Sequence, residues 1–309
     1  ATLIHADVDE IAFVKNTTQG ILIAANGIDW HSGDNCIITD MEFPANVYPW
    51  MALSRIGVET RFVKARNGRI LVDDIEAAMD ARTRVVSISW VEFSNGFRND
   101  IERIGEVCYE RGVLFVLDAI QGLGALDIDV KRARVDVLTA DAHKWLLGPE
   151  GIGCFYCSRN ALEQLITTNI GWKSVVGYND YFTYDLTLLP NAQRFEEGSL
   201  NTVGIHGLNA AVSMLLEIGI PEIERRVLHL TNILIDGLIR KGYQITSSLE
   251  SHERSAIVAF TSSKWSPQYL VSLLREHRII ACVRGNAVRL SPHFYNSEEE
   301  MDRVIDVLP

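Results

Sequence analysis

Residues Val113–Leu147 read VLFVLDAIQGLGALDIDVKRARVDVLTADAHKWLL. The run Val113, Leu114, Phe115, Val116, Leu117 is short and wholly apolar, the pattern of a strand buried on both faces, and it ends at Asp118. Gln121 follows one turn later. After a charged segment, Val135, Val137 and Leu138 lead into Asp141-Ala142-His143-Lys144-Trp145. In parallel sheets ligands bind beyond the carboxyl ends of the strands, which is where Asp118, Gln121 and Lys144 are expected.

A carboxylate, an amide and a lysine at one strand edge point to a specific chemistry. A lysine forms a Schiff base with an aldehyde cofactor, and a carboxylate keeps a pyridine nitrogen protonated, making the ring an electron sink. Those are the needs of pyridoxal phosphate. Singly, each residue has a plainer reading, since an Asp ending a strand is usually a turn former and most lysines are solvated. The ordered combination favours the cofactor.

Composition narrows the alternatives. A chain of 309 residues with 47% hydrophobic and 22% charged residues has the profile of a globular protein with a large core. A net charge of -11 argues against nucleic-acid or anionic-membrane binding. No apolar run has the length of a membrane span, and the start, ATLIHADVDE, lacks the pattern of a secretion signal, so a cytoplasmic location is the expectation. The five cysteines, Cys36, Cys108, Cys154, Cys157 and Cys282, are scattered, as reduced thiols are. Cys154 and Cys157 lie three apart on an apparent strand and so face opposite ways, which suits neither a shared metal nor a disulfide. No metal ligand is assigned.

Strand and helix patterns alternate along the first two thirds of the chain. Strands are expected at 11–14, 36–39, 58–63 and 84–90, and helices at about 21–26, 72–79 and 101–111. This is the signature of βαβ units and a mainly parallel sheet. A dinucleotide-binding dehydrogenase shares it, but Gly122-Leu123-Gly124 lacks the third glycine of G-x-G-x-x-G. From about Val203 a helix leaves this part. A compact α+β module is expected to follow, with helices at 221–240, 266–277 and 297–308 and strands at 243–246, 256–260, 279–283 and 288–291. The expected division is 1–215 and 216–309.

The segment Asp118-Ala119-Ile120-Gln121, with His143-Lys144-Trp145 and Gly148-Pro149-Glu150-Gly151-Ile152-Gly153, resembles the class V aminotransferase family of pyridoxal-phosphate enzymes, which includes cysteine desulfurases, isopenicillin epimerases and cysteine C-S lyases. The resemblance covers essentially the whole chain. It implies an α/β protein of the type I transferase fold, with a large cofactor-binding domain and a smaller α+β C-terminal domain. It places the Schiff base on Lys144, the ring nitrogen on Asp118 and the ring oxygen on Gln121. Thr17 and Thr18, in Asn16-Thr17-Thr18-Gln19-Gly20, would bind the phosphate at a helix start, with His143 helping to anchor it. By the same comparison family members have further residues before this start.

Phe43 stands where relatives carry the histidine that stacks on the ring; phenylalanine stacks but cannot move a proton. Phe93 replaces a family asparagine, with Asn95 nearby but out of register. Asp141 replaces a serine and would repel a phosphate unless it points away. Arg194-Phe195-Glu196-Glu197-Gly198-Ser199 is similar to the family motif whose hydroxyl, here Ser199, reaches the partner subunit's cofactor, implying a homodimer. Arg289, in Arg289-Leu290-Ser291-Pro292-His293-Phe294-Tyr295-Asn296, would clamp the substrate carboxylate.

These residues imply an enzyme acting on a small α-amino acid, by aminotransferase, epimerase or C-S lyase chemistry. A non-catalytic member that keeps the cofactor is the alternative from another class; retention of Lys144, Asp118, Gln121 and Arg289 together weighs against it. A cysteine desulfurase is disfavoured, because Arg284-Gly285-Asn286-Ala287-Val288 leaves no room for the loop that carries a catalytic thiol. Cys282 is expected to be buried in a strand, with little reach.

Overall fold

The computed structural model describes residues 1–309. In chain order the first elements are β1 (Ile11–Val14), α1 (Thr17–Gly27), β2 (Asn35–Thr39), α2 (Tyr48–Met51), β3 (Glu59–Val63) and α3 (Val72–Ala78). They are followed by β4 (Thr83–Ser89), α4 (Ile101–Arg111), β5 (Leu114–Asp118), β6 (Val137–Asp141), β7 (Gly153–Cys157), α5 (Arg159–Gln164) and α6 (Thr202–Ile218). The last third comprises α7 (Ile220–Arg240), β8 (Gln244–Ile245), β9 (Val258–Thr261), α8 (Pro267–Glu276), β10 (Cys282–Arg284), β11 (Ala287–Leu290) and α9 (Glu298–Val307).

β1 to β7 form one seven-stranded sheet in the order β1-β7-β6-β5-β4-β2-β3. The five strands from β6 to β3 are parallel, while β7 is antiparallel to both its neighbours, so that β1 at the edge runs in the direction of the five. The short link from β6 to β7 contains no crossover helix, and a parallel return needs one. Lys144 lies in that link.

The apolar alternation of the strands feeds two cores. On β5, Phe115 and Leu117 pack on one face with α4, α6 and the start of α7, while Leu114 and Val116 pack on the other with α1, α2 and α5. Burial of both faces explains why these strands read as continuous apolar runs. Cys154 and Cys157 fall on opposite faces of β7 and all five cysteines are free.

A second, four-stranded antiparallel sheet, β10-β11-β9-β8, packs against α7, α8 and α9 around Leu230, Leu234, Phe260, Leu274 and Val288. Gly219 (φ 91°) separates α6 from α7, which meet at 80°. No single helix is long and apolar enough to cross a membrane.

Two elements differ from the sequence reading. α1 starts at Thr17, not Ile21, because Asn16 caps it by accepting the Gln19 N–H at 2.9 Å. The strand expected at 279–283 is only β10. Ile279 to Ala281 form the exit from α8, where the Ile279 N–H returns to Leu274 O and Ile280 is 93% exposed.

Candidate active site

Parallel register brings the site residues to one edge. Ser89 pairs with Asp118 across β4 and β5, and Asp118 with Thr139 across β5 and β6, so Ser89, Asp118 and Asp141 end adjacent strands. The Lys144 link folds back on the Gln121 turn. Gly124 (φ 99°) makes that close approach possible, since a Cβ there would lie 2.5 Å from Trp145 O. Trp145 Nε1 donates to Gln121 Oε1 at 3.0 Å, which leaves the Gln121 amide nitrogen free to donate to a ligand oxygen.

Asp118 is 2% exposed. Its Oδ1 accepts the Ile120 N–H at 3.0 Å, and its other oxygen accepts no protein hydrogen bond. Burial pushes its carboxyl up to about 7, the charge of Glu42 adds to this, and the Ile120 N–H and Lys144 oppose it. Lys144 is half-buried and forms no ion pair. Burial lowers its proton affinity; Arg289 and Arg284 lower it further, against Asp118 and Asp141. An amine with depressed proton affinity beside a buried acid is equipped for nucleophilic and proton-transfer work.

Phe43 is 45% exposed, 5.3 Å edge-on from Phe93, and its ring centre lies 5.8 Å from Lys144 Nζ. Arg289 Nη1 donates to Phe93 O at 2.5 Å, which brings the guanidinium beside the Phe43–Phe93 pair, and its charge acts on Lys144. Arg289 has no acidic partner, and its buried Nε has no hydrogen-bond acceptor in the protein. Asn95 is occupied elsewhere: it donates to Gly68 O at 2.7 Å and accepts the Phe97 N–H at 3.0 Å, which makes it a turn residue.

At the start of α1, the Asp141 carboxylate is turned onto the helix. It accepts the Thr17 N–H, while the Asp141 N–H donates to Thr17 Oγ1 at 3.0 Å. Thr17 is thereby sealed at 2% exposure, and of the expected phosphate-binding pair Thr18 is the accessible one. Thr18 lines an open cavity with Phe43 and Tyr48. His143 is exposed, its Nδ1 3.8 Å from Asp141 Oδ2. Gly20 lets α1 sit this low, since a Cβ there would stand 2.1 Å from Thr139 Oγ1. Ser199 is exposed and makes no hydrogen bond within the chain.

Cys282 corrects an expectation. It is partly rather than fully buried, lines a cavity of about 500 Å³ with Arg289 and lies directly opposite it in the β10–β11 pairing. The short turn does hold, for Gly285 and Asn286 alone join the two strands.

Several contributors escaped the sequence reading. Glu42 and Glu92 are buried behind Asp118, Arg284 is close enough to act on Lys144, and His293 Nε2 meets Trp145 O at 3.1 Å, bracing the lysine link. His293 lies within the quoted Arg289–Asn296 motif, and that was its only signal.

The residues present suit pyridoxal phosphate. Asp118 keeps one oxygen unpaired toward the site, Lys144 is an unpaired amine, Phe43 offers a ring face, and Thr18 and His143 flank a helix start. The occupied Thr17 N–H is the one group that a phosphate finds already taken.

Comparison with known proteins points to one family. The aminotransferase class-V family model matches residues 1–304. A probable cysteine desulfurase of Methanothermobacter thermautotrophicus is 31% identical, over 100% of this chain and 80% of its own length. The uncharacterized aminotransferase YcbU of Bacillus subtilis is 28% identical, over 99% and 80%. Among solved structures, an apo cysteine desulfurase of Thermococcus onnurineus NA1 superposes with a TM-score of 0.91 at 26% identity, covering 99% of this chain and 80% of that one. A cystine C-S lyase in complex with cysteine persulfide gives 0.90 at 25% identity, covering 100% and 84%. The chain belongs to the class V aminotransferase family, a family of pyridoxal-phosphate-dependent enzymes of the type I transferase fold. Desulfurases stand among its relatives, so the expectation that disfavoured that activity is withdrawn.

Proposed function

We propose that this enzyme acts on a small α-amino acid at the site formed by Lys144, Asp118, Phe43 and Arg289, by aminotransfer, epimerisation or C–S bond cleavage. The observation that carries the proposal is the placement of Asp118 and Lys144 beyond adjacent parallel strands, with an unpaired Arg289 across from them. When bound, pyridoxal phosphate supplies an aldehyde carbon for the substrate amine and a ring that draws electrons from the α-carbon. Asp118 holds the proton of the ring nitrogen, the Gln121 amide meets the ring oxygen, and Phe43 covers the ring face. Thr18 and His143 hold the phosphate, with Thr17 contributing through the position of the helix start. Arg289 fixes the substrate carboxylate, and Lys144 Nζ takes the α-proton.

The division into 1–215 and 216–309 sets Lys144 on the larger part and Arg289 on the smaller, so the substrate sits between them. A homodimer is part of the proposal. Its support is the apolar surface of Phe182 (93% exposed), Tyr184 (96%), Leu186 (70%) and Val203 (82%), together with the unengaged Ser199. A cytoplasmic location is supported by five unpaired cysteines.

A second reading, cysteine desulfuration, is favoured by the desulfurase relatives and by Cys282 on the same face of the β10–β11 hairpin as Arg289. A panel of amino acids added to the holoenzyme, followed by visible absorbance and product analysis, tests both. Keto acid, inverted stereochemistry, pyruvate with sulfide, or alanine with persulfide would each identify one reaction. No spectral response to any amino acid overturns the proposal.

A further inference from the structure

Glu42 belongs to no role so far assigned, yet it is one of the most tightly held side chains near the site. It is 7% exposed. Its Oε1 accepts the Ser89 N–H at 2.9 Å and the Thr39 hydroxyl at 3.2 Å; its Oε2 accepts from Asn46 Nδ2 at 2.9 Å and the Ser89 hydroxyl at 2.6 Å. The orientation of the Asn46 amide is fixed, because its Oδ1 accepts from Trp50 Nε1 at 3.0 Å and from the Ser87 hydroxyl at 2.6 Å. Each oxygen of Glu42 therefore faces one nitrogen that can only donate. A carboxylate satisfies both, whereas a glutamine would turn its own NH2 onto one of them.

Ser89, on which this carboxylate rests by both backbone and hydroxyl, is the register partner of Asp118. Adjacent strands lie about 4.8 Å apart, so Ser89 holds the Glu42 carboxylate at the sheet edge where Asp118 ends the next strand, and the Glu42 charge acts on Asp118. Burying a carboxylate that makes no ion pair is costly.

We propose that Glu42 is a positioning residue that keeps a second negative charge beside Asp118 and so holds the proton of the cofactor's ring nitrogen more firmly than Asp118 does alone. The inference rests on the proposed function. The charged groups that face Asp118 are Glu42 and, beyond it, Glu92 from the β4 side, and Asp141 and Lys144 from the β6 side. Glu92 is fully buried with Oε2 unpartnered, and burial, with the charge of Glu42 next, raises its carboxyl well above the usual range. Burial raises the Glu42 carboxyl overall, against the pull of its four donors. Asp141 is turned onto Thr17. Glu42, with four donors on its two oxygens, is the acid beside Asp118 whose hydrogen bonds most favour the charged form.

The test uses holoenzyme reconstituted with cofactor isotopically labelled at the ring nitrogen, whose protonation is followed by nuclear magnetic resonance across a pH series. For Glu42→Gln, the pH at which the ring nitrogen loses its proton should fall by about 1–2 units, the size of the effect of one nearby charge in a partly screened site. Glu42→Asp keeps the charge on a shorter arm and should stay within about half a unit of the wild type. An unchanged midpoint in Glu42→Gln overturns the proposal, as does a fall in Glu42→Asp as large as that in Glu42→Gln. Should Glu42→Gln fail to hold the cofactor, Glu42→Asp decides: a retained midpoint supports the role of the charge and a lowered one overturns it. A wild-type holoenzyme without any Lys144-dependent ring signal would instead contradict the proposed function.

Discussion

The ring of Phe43 stands 5.8 Å from Lys144 Nζ and meets Phe93 edge-on, so the wall facing the lysine is aromatic and cannot accept a proton. In the proposed function, proton movement at the α-carbon then falls to Lys144. Phe43→Ala should weaken cofactor affinity about tenfold, the loss of a stacked aromatic face, as read by fluorescence titration. Phe43→His restores a ring but adds a titrating group, and should introduce a new inflection at about pH 6–7 in the rate profile.

Asp118 carries a stability cost that function explains. Its folded carboxyl is raised to about 7 from an unfolded value of 3.8, so the native state binds more protons over that interval and stability falls as pH rises through it. The full cost, about 4 kcal/mol at most, is in place above pH ~7 and absent below pH ~4. Asp118→Asn should therefore raise the melting temperature of the cofactor-free protein by ~5 °C at pH 8, change it little at pH 4, and abolish turnover. Calorimetry at the two pH values checks the sign.

Gly20 lets α1 approach β6, and the closeness of Thr139 Oγ1 leaves no room for a side chain. Gly20→Ala should cost about 1–3 kcal/mol by overpacking and lift the helix start that carries Thr17 and Thr18. Denaturant unfolding gives the first effect, and a weaker cofactor affinity the second.

Arg289→Ala should reduce kcat/KM about 10–100-fold, mainly through KM, because it removes charge-assisted hydrogen bonds to the substrate carboxylate. Cys282→Ser leaves Arg289 in place and separates the two readings of the reaction. Near-normal turnover fits elimination or aminotransfer, and loss of sulfur release with no change in cofactor spectrum fits desulfuration.

How far the sequence reaches depends on how local the cause is. The Val113–Leu117 run and the Asp118 stop were legible because a strand buried on both faces has an unbroken apolar pattern. Lys144 and Arg289 were legible through motifs. The antiparallel β7 was not, since its direction follows from the brevity of the link after β6. Apolar Ile279 and Ile280 mimicked a strand although Ile280 is exposed. Glu42 was invisible as a participant because its meaning lies in Ser89 and Asp118, which come near it only across β4 and β5. Asp141 and Thr17 likewise bond across 124 residues of sequence.

The central claim is that Lys144 is the residue that joins the cofactor. Borohydride reduction of the holoenzyme, followed by digestion and peptide mass spectrometry, tests it directly. The account predicts that the cofactor's mass is fixed to the peptide containing His143-Lys144-Trp145 and nowhere else, and that Lys144→Ala loses both the label and the visible absorbance. Label on another lysine, or an unlabelled protein that retains full turnover, would contradict it.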